Sequence, residues 1–228
     1  MSFNWTQLAV GHENVHIATL GLASVVSIGL GLLAKKQLGT GEAAVIPAGK
    51  FSLRGLFEVN VEFISKLANS IIGHDGYKYV PYFSAMFGFI LINNLIGVIP
   101  GMTPATENIN TTFAFGIFSF LSYNFIGLKK GGSHYLAHFL GPIWWLAPLM
   151  LVIEIIAHFI RPLTLGLRLA NVMTGDHTVL SVFLGIVPYP LLIPIPFYVL
   201  GLLVCFIQAF VFTLLSMVYV ALAQASDH

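Results

Sequence analysis

The residues best suited to chemistry lie between positions 154 and 177, in the stretch EIIAHFIRPLTLGLRLANVMTGDH. Glu154, Arg161, Arg168 and two histidines occur there in sequence apolar enough to lie in lipid. A charge at the centre of a bilayer costs at least about 2.5–3.5 kcal/mol on insertion scales, so such groups normally face protein or water. The stretch is therefore predicted to carry a function, and the rest of the chain to position it.

The spacing of these charges has a geometric consequence. Glu154, Arg161 and Arg168 are seven residues apart, so on a continuous helix all three project from nearly the same face. His177 follows Arg168 by nine residues and points to the opposite side. A bend at Pro162 would preserve only the relation between Arg168 and His177.

The possible partners of the two arginines differ. Glu154 and Arg161 can form a buried ion pair that either only fixes packing or takes part in function, and the spacing does not choose between them. Arg168 has no acid within one turn on its own face. We therefore expect its counter-charge to come from another element or from another chain.

The composition is that of an integral membrane protein. The 228 residues are 57% hydrophobic and 8% charged, with a mean hydropathy of +0.88, whereas soluble domains carry roughly 25% charged residues. Nothing in the sequence suggests nucleic-acid binding. Cys205 is the only cysteine, which excludes an internal disulfide and a cysteine metal cluster, and we expect it to be a small packing residue.

Apolar runs define an all-α fold. A helix needs about 20 largely apolar residues to cross a membrane, and we predict a single membrane domain of residues 1–228 with about five spans. These are residues 17–34, 80–99, 111–128, 143–187 and 197–224. The first run is longer than the apolar region of a signal peptide and has no basic residue before it, which predicts an uncleaved span.

The last two predicted helices are long. As one helix, residues 143–187 would reach nearly 70 Å at about 1.5 Å per residue, over twice the membrane thickness. We expect a steeply tilted helix, with a hairpin as the alternative. A hairpin would give six spans and would place the C-terminus on the opposite side of the membrane.

Residues 51–72 differ from these spans because they mix charges with apolar residues at helical spacing. The apolar set is Phe51, Leu56, Val59, Phe63, Leu67 and Ile71. This pattern predicts an amphipathic helix on the membrane surface, and a helix packed on a partner protein is the alternative. In the second span, Asn93 and Asn94 are predicted to bond to a neighbouring helix.

The basic residues predict the orientation. Eight of the ten lie in two loops: Lys35, Lys36, Lys50, Arg54, Lys66 and Lys78 in one, Lys129 and Lys130 in the other. Because Lys and Arg are retained on the cytoplasmic side, the N-terminus is expected outside. Five spans then place the C-terminus in the cytoplasm. With no transit peptide, the bacterial inner membrane is the expected location.

Motifs for catalysis or cofactor binding are missing from the sequence. It contains no Gly-rich phosphate loop, no zinc motif and no nucleophile elbow. His134 and His138, four residues apart, could share a helix face as metal ligands do, but no third ligand is evident. We expect neither a metal site nor a cofactor.

Two segments carry a resemblance to a known family. The run PLTLGLRLANVMTGDH, followed by a proline-rich break and FIQAFVFTLLSMVYVALA, resembles the two C-terminal helices of subunit a of the F-type ATP synthase. NLIGVIP at 94–100 and the PATENINTT segment resemble the family's second span and the loop after it. The likeness covers most of the chain from about residue 80, and the N-terminal third matches only in layout.

The resemblance implies a function and partners. The chain would be the stator-side proton channel of a rotary ATP synthase, which is not catalytic alone. Its partners would be the ring of c subunits, the b-subunit peripheral stalk, other ATP synthase subunits and lipid. Protons would pass through two half-channels to and from carboxylates of the ring.

The resemblance also implies roles for particular residues. Arg168 matches the essential arginine that faces the c-ring, forces the ring carboxylate to release its proton and prevents a leak. Gln208 matches a glutamine near that arginine. Glu154 and His177 match polar positions of the half-channels, and Asn171 would line the same path.

The sequence departs from the family pattern at three positions. Asn171 stands one place earlier than the family's asparagine. Gly201 occupies a position, seven before Gln208, where some members have His or Glu, so His177 is expected to act without that partner or with water. Arg161 matches a basic position near the cytoplasmic end of the tilted helix and is interpreted as an interfacial anchor.

Two other classes of function fit the residues alone. An ion-coupled secondary transporter could use Arg168 and Glu154 to bind an anionic substrate, although such proteins show internal repeats that are not evident here. The second class is a scaffold whose buried charges only set the register of its helices.

Overall fold

A computed structural model describes residues 15–38, 52–99, 101–137, 147–186 and 194–224 of the protein, and these residues contain six α-helices. They are α1 (Val15–Leu38), α2 (Leu53–Ile71), α3 (Val80–Val98), α4 (Ile109–Ala137), α5 (Ala147–Ile186) and α6 (Pro194–Gln224), with short 3₁₀ helices at Gly76–Tyr79 and Ala105–Glu107. Five of the helices, all except α2, are long and apolar enough to cross a membrane. The predicted all-α membrane fold is confirmed.

α5 is one continuous helix of 40 residues and not a hairpin. At about 1.5 Å per residue it is about 60 Å long. Pro162 lies inside it without ending it, so the helical phase that relates Glu154, Arg161 and Arg168 is retained. Because proline has no N–H, the carbonyl of His158, four residues earlier, loses its donor within the helix.

α4 continues beyond the predicted end at residue 128. It passes Lys129 and Lys130 and contains one non-helical residue, Gly132, with φ 52° and ψ −131°. Glycine adopts positive φ without the steric penalty of a Cβ atom. The assigned helix is therefore two helical segments joined at this glycine.

α4 and α5 touch through two glycines. A Cβ atom at position 116 would lie 2.5 Å from the carbonyl oxygen of Pro162, and one at position 166 would lie 2.9 Å from the carbonyl oxygen of Thr112. Glycines at such crossings let helix backbones approach closely in a membrane. Gly166 lies two residues before Arg168, so this contact fixes the position of the arginine along the bundle.

The bundle has two ends, which we name by their charges. At the lysine end, Lys130 Nζ donates to Asp75 Oδ2 at 3.0 Å and to Gln224 Oε1 at 3.3 Å. Lys78 Nζ also donates to Asp75, at 2.8 Å. Hydrogen bonds from Lys78 and Lys130 lower the pKa of Asp75 from 3.8 to about 2. The two basic loops predicted to share one side of the membrane therefore meet. The opposite, Glu107 end carries the 3₁₀ helix Ala105–Glu107.

α2 packs on α3 and α6 partly through the predicted apolar stripe, from which Phe63, Leu67 and Ile71 contact the core, and partly through residues outside the stripe. Ile64 and Ala68 are fully buried, and neither belongs to that stripe. Leu56 and Val59, which do belong to it, are 61% and 65% exposed. Phe63 links the two sets, with its ring 6.0 Å from the ring of Phe87 on α3 and 5.8 Å from that of Phe210 on α6. The apolar residues of α2 are thus divided between protein contact and exposure.

The two asparagines of α3 behave differently. Asn94 Nδ2 donates to the carbonyl oxygen of Cys205 on α6 at 3.3 Å, and its Oδ1 accepts from Thr106 Oγ1 at 2.8 Å. The predicted interhelical bond is confirmed for Asn94. It is wrong for Asn93, whose Nδ2 donates to Phe89 in its own helix. Cys205 is buried at this contact, as expected of a packing residue.

Candidate functional site

Arg168 lies at the edge of the buried face of α5. Leu165, Leu169 and Met173, on the turns around it, are at most 2% exposed, whereas Arg168 itself is exposed. Within the described part of the chain its guanidinium makes no hydrogen bond and no ion pair. The sequence offered no acid as a counter-charge for Arg168 within one turn on its own helix face, and the described residues provide none.

His177 has a partner that the sequence did not identify. Its Nδ1 lies 3.5 Å from Glu107 Oε2, with the two side chains 20% and 32% exposed. This contact does not qualify as a hydrogen bond, because Glu107 Oε2 has no hydrogen-bond partner among the described residues. On α3, a Cβ atom at Gly97 would lie 2.8 Å from His177 Nε2. The imidazole therefore fits between a carboxylate and a bare stretch of helix backbone.

Asp176 lies beside His177 and faces α6. A Cβ atom at Gly201 would lie 2.9 Å from Asp176 Oδ2, so the carboxylate occupies space that a side chain at position 201 would need. Sequence reasoning missed both Asp176 and Glu107. Gly201 was the sequence feature that could have indicated Asp176, because a glycine on α6 leaves room for an acidic side chain from α5. We name Glu107, Asp176 and His177 the Glu107 cluster.

The ion pair predicted from the seven-residue spacing is present at the other end of α5. Arg161 Nη2 donates to Glu154 Oε1 at 3.4 Å, with the side chains 26% and 34% exposed. The guanidinium carbon also lies 5.7 Å from the centroid of the Tyr219 ring on α6, within range of a cation–π interaction. Arg161 thus has protein partners on two helices, and its role as an interfacial anchor stays a prediction.

His158, to which sequence reasoning gave no role, is buried between α4 and α5. Its Nε2 is 2.9 Å from Asn124 Oδ1, and its Nδ1 is 3.4 Å from the Tyr123 hydroxyl. We name the residues of this region the lysine-end cluster. Its members are Tyr123, Asn124, Glu154, His158, Arg161 and Tyr219.

The remaining predicted site residues do not bond to Arg168. Gln208 is 4% exposed on α6, and its Nε2 has no hydrogen-bond partner among the described residues. Asn171 is exposed. The side chains of His134 and His138 lie outside what the structure describes, so the histidine pair is not tested.

Comparison with known proteins identifies the family. The family model described as ATP synthase A chain matches residues 17–221. A protein of Bdellovibrio bacteriovorus named ATP synthase subunit a is 64% identical over 231 residues, covering 100% of both chains. One of Geobacter sulfurreducens with the same name is 43% identical, covering 91% of this chain and 90% of its own. The chain belongs to the ATP synthase subunit a family.

Membership in the ATP synthase subunit a family makes the chain an integral, multi-pass membrane subunit of the proton-translocating Fo part of the enzyme. It is not catalytic alone, and other ATP synthase subunits are its partners. The secondary transporter considered from the residues alone is thereby set aside.

Within this family the arrangement along α5 has a clear chemical sense. His158 lies about 15 Å before Arg168 and His177 about 13.5 Å after it, at about 1.5 Å per residue along the axis. The lysine-end and Glu107 clusters therefore lie on opposite sides of one fixed positive charge. Each cluster contains at least one carboxylate and one histidine, and Arg168 lies between the two clusters.

Proposed function

We propose that this chain forms the stator-side proton channel of a rotary ATP synthase, in which Arg168 acts on carboxylates of the c-ring. One observation carries the proposal: the Arg168 guanidinium is exposed on a membrane helix and has no partner in the described chain. A charge left alone in lipid is costly. A carboxylate on a neighbouring subunit would remove that cost, and the family likeness points to the ring.

The chemistry of Arg168 follows from its permanent charge. A guanidinium stays protonated at any accessible pH, and a nearby positive charge favours the ionised form of a carboxylate. Each ring carboxylate that reaches Arg168 would therefore release its proton. The same charge repels a hydronium ion, so protons cannot pass directly from one end of α5 to the other.

Two half-channels would serve the two sides of Arg168. The Glu107 cluster suits the entry path, because His177 lies beside a carboxylate and histidine is a frequent proton-relay residue. Glu154, at the lysine end, suits the exit path. Gln208 would assist Arg168 from α6, and Asn171 would lie on the exposed face beside it.

This function implies an orientation and neighbours. The lysine end would face the cytoplasm, with the N-terminus outside and the C-terminus cytoplasmic, in a bacterial inner membrane. The c-ring would lie against the exposed side of α5 that carries Arg168. The b-subunit peripheral stalk would bind elsewhere on the bundle, and lipid would cover the remaining apolar surface.

The test uses the complete ATP synthase in inverted membrane vesicles. ATP-driven proton pumping and passive proton leak are measured for Arg168→Ala and Arg168→Lys, with Lys66→Ala as the control. Lys66 is a suitable control because its side chain is 76% exposed and its ion-pair partner, Glu62, is 66% exposed. Immunoblots of the purified complex report how much of the subunit is assembled.

We expect Arg168→Ala to abolish pumping and to allow a passive leak, while Lys66→Ala pumps normally. Arg168→Lys should still block the leak, because the positive charge is retained, but should pump poorly if the planar guanidinium is needed. Normal pumping by assembled Arg168→Ala complexes would refute the proposed function.

A further inference from the structure

We infer that His158 is a positioning residue: a neutral, hydrogen-bonded joint between α4 and α5 that holds Glu154 and Arg161 in place. It does not relay protons itself. The inference rests on the proposed function only in that its main test measures proton pumping. Its structural basis is the lysine-end cluster alone.

The imidazole is enclosed by aromatic rings. Its centroid lies 4.8 Å from that of Phe120 and 5.5 Å from that of Tyr123, at interplanar angles of 62° and 82°. His158 is 8% exposed and Tyr123 is 2% exposed. Such an edge-to-face cage fixes the ring and keeps water from it.

The hydrogen bonds determine where the imidazole proton lies. Asn124 Nδ2 donates to the carbonyl oxygen of Phe120 at 2.8 Å, which turns the amide oxygen towards His158. An amide oxygen can only accept, so the proton must be on His158 Nε2. Nδ1 then carries a lone pair, which faces the Tyr123 hydroxyl, a group able to donate to it.

A second proton on His158 would disrupt this arrangement. Nδ1 would become a donor aimed at Tyr123, and a buried charge would be created. Glu154 and Arg161 on α5 interact electrostatically with the imidazole, and the hydroxyl and ring of Tyr123 on α4 contact it. Glu154 is already paired with Arg161, so a charged His158 would compete with Arg161 for one carboxylate.

The joint lies where α5 needs support. Pro162 deprives the His158 carbonyl of its helical donor, which weakens the helix at this turn. The Tyr123 ring lies 5.7 Å from that of Tyr219, and Tyr219 is in turn in contact with Arg161. His158 therefore begins a chain of contacts across three helices that ends at the Arg161–Glu154 pair.

The test compares His158→Gln with His158→Leu in the complete ATP synthase. The glutamine amide nitrogen can replace Nε2 as the donor to Asn124 but cannot titrate, whereas leucine fills the space without a donor. We expect His158→Gln to pump within about 2-fold of wild type, with the same pH profile, and His158→Leu to pump about 5- to 10-fold less per assembled complex. ATP hydrolysis should be equal in the two.

Two results would overturn the inference. Loss of pumping in assembled His158→Gln complexes would show that the imidazole carries protons, and wild-type pumping by His158→Leu would show that no joint is needed. If His158→Leu fails to assemble, Asn124→Leu breaks the same bond from α4, and wild-type pumping by that variant has the same meaning.

A spectroscopic measurement is independent of pumping. The ¹⁵N shifts of labelled His158 should show the neutral Nε2–H tautomer from pH 6 to 8, and an imidazolium ion in that range would contradict the inference. An Arg168→Ala sample measured in parallel separates the two proposals. If it pumps normally, the proposed function fails while the tautomer result still decides the role of His158.

Discussion

The two histidines that flank Arg168 on α5 have opposite surroundings. His158 is buried, bonded at 2.9 Å to an amide and enclosed by aromatic rings. His177 is 20% exposed and meets a carboxylate at 3.5 Å, against a glycine on α3. The same residue type is thus buried among aromatic rings in one place and partly exposed beside a carboxylate in the other.

The neighbouring helices cause this difference. At the lysine end α4 presents the large rings of Phe120 and Tyr123, whereas at the Glu107 end α3 and α6 present Gly97 and Gly201. Large side chains exclude water and need satisfied hydrogen bonds. Glycines let a polar side chain of another helix lie directly against the helix backbone. A histidine on a membrane helix therefore does not by itself indicate a proton carrier.

The largest effect should come from separating the helices that hold both clusters. In Gly116→Ala the new Cβ atom would lie 2.5 Å from a backbone carbonyl oxygen, which no side-chain rotation can relieve. We expect a loss of about 1–3 kcal/mol or more in stability, seen as a lower melting temperature and little assembled subunit. Gly29→Ala, where nothing lies within 4 Å, is the control. Equal melting temperatures would mean that the crossing of α4 and α5 is not tight.

The second prediction tests directly whether the two histidines have different roles. His177→Gln should lower ATP-driven pumping about 10- to 100-fold, because a proton-transfer group is lost, whereas His158→Gln is tolerated. Exposed His74 supplies the control variant His74→Gln, which should pump normally. Tolerance of His177→Gln would remove the distinction between the clusters.

Glu107→Gln extends this test to the partner of His177. If the two groups act together, the double variant should be no worse than the poorer single one, with a coupling of about 0.5–3 kcal/mol. Additive losses in pumping would show that the 3.5 Å contact has no functional meaning.

A smaller effect is expected from adding a side chain at Gly201 on α6, next to Asp176. In Gly201→Ala the Cβ atom would lie 2.9 Å from Asp176 Oδ2, and the carboxylate must move. Because this is the flexible end of a side chain, we expect pumping to fall only about 2- to 3-fold, corresponding to roughly 0.5 kcal/mol. Gly21→Ala, in open space on α1, should have no effect. If Asp176→Ala, which removes the colliding atoms, abolishes the difference between Gly and Ala at position 201, the effect acts through the Asp176 side chain.

The smallest effect concerns the ion pairs at the lysine end. Since Lys78 and Lys130 lower the pKa of Asp75 to about 2, its stabilising effect is present above the ordinary value of 3.8 and is lost as the pH falls through about 2. Asp75→Asn should therefore lower the melting temperature slightly, by the same amount at pH 5 and pH 8. Added salt should reduce the difference. A difference that changes between pH 5 and pH 8 would assign the effect to another group.

The sequence by itself determined the features that depend on one helix at a time. Apolar runs of about 20 residues specify membrane helices because lipid requires every backbone group to bond within its segment. The helical period placed Arg161 on the same face as Glu154, two turns further along α5, and the contact at 3.4 Å is present. Composition and periodicity are sufficient here because no second helix is involved.

Only the tertiary structure decided which helices meet, and where. Glu107 and His177 are 70 positions apart, and no periodicity relates them. The same holds for Asp176 above Gly201 and for His158 beside Tyr123. These contacts depend on how each helix is rotated about its axis and on how closely the helices approach at glycines such as Gly116. α5 continues through Pro162 because neighbouring helices support it. The charges could be predicted from the sequence, but their partners follow from the packing of several helices together.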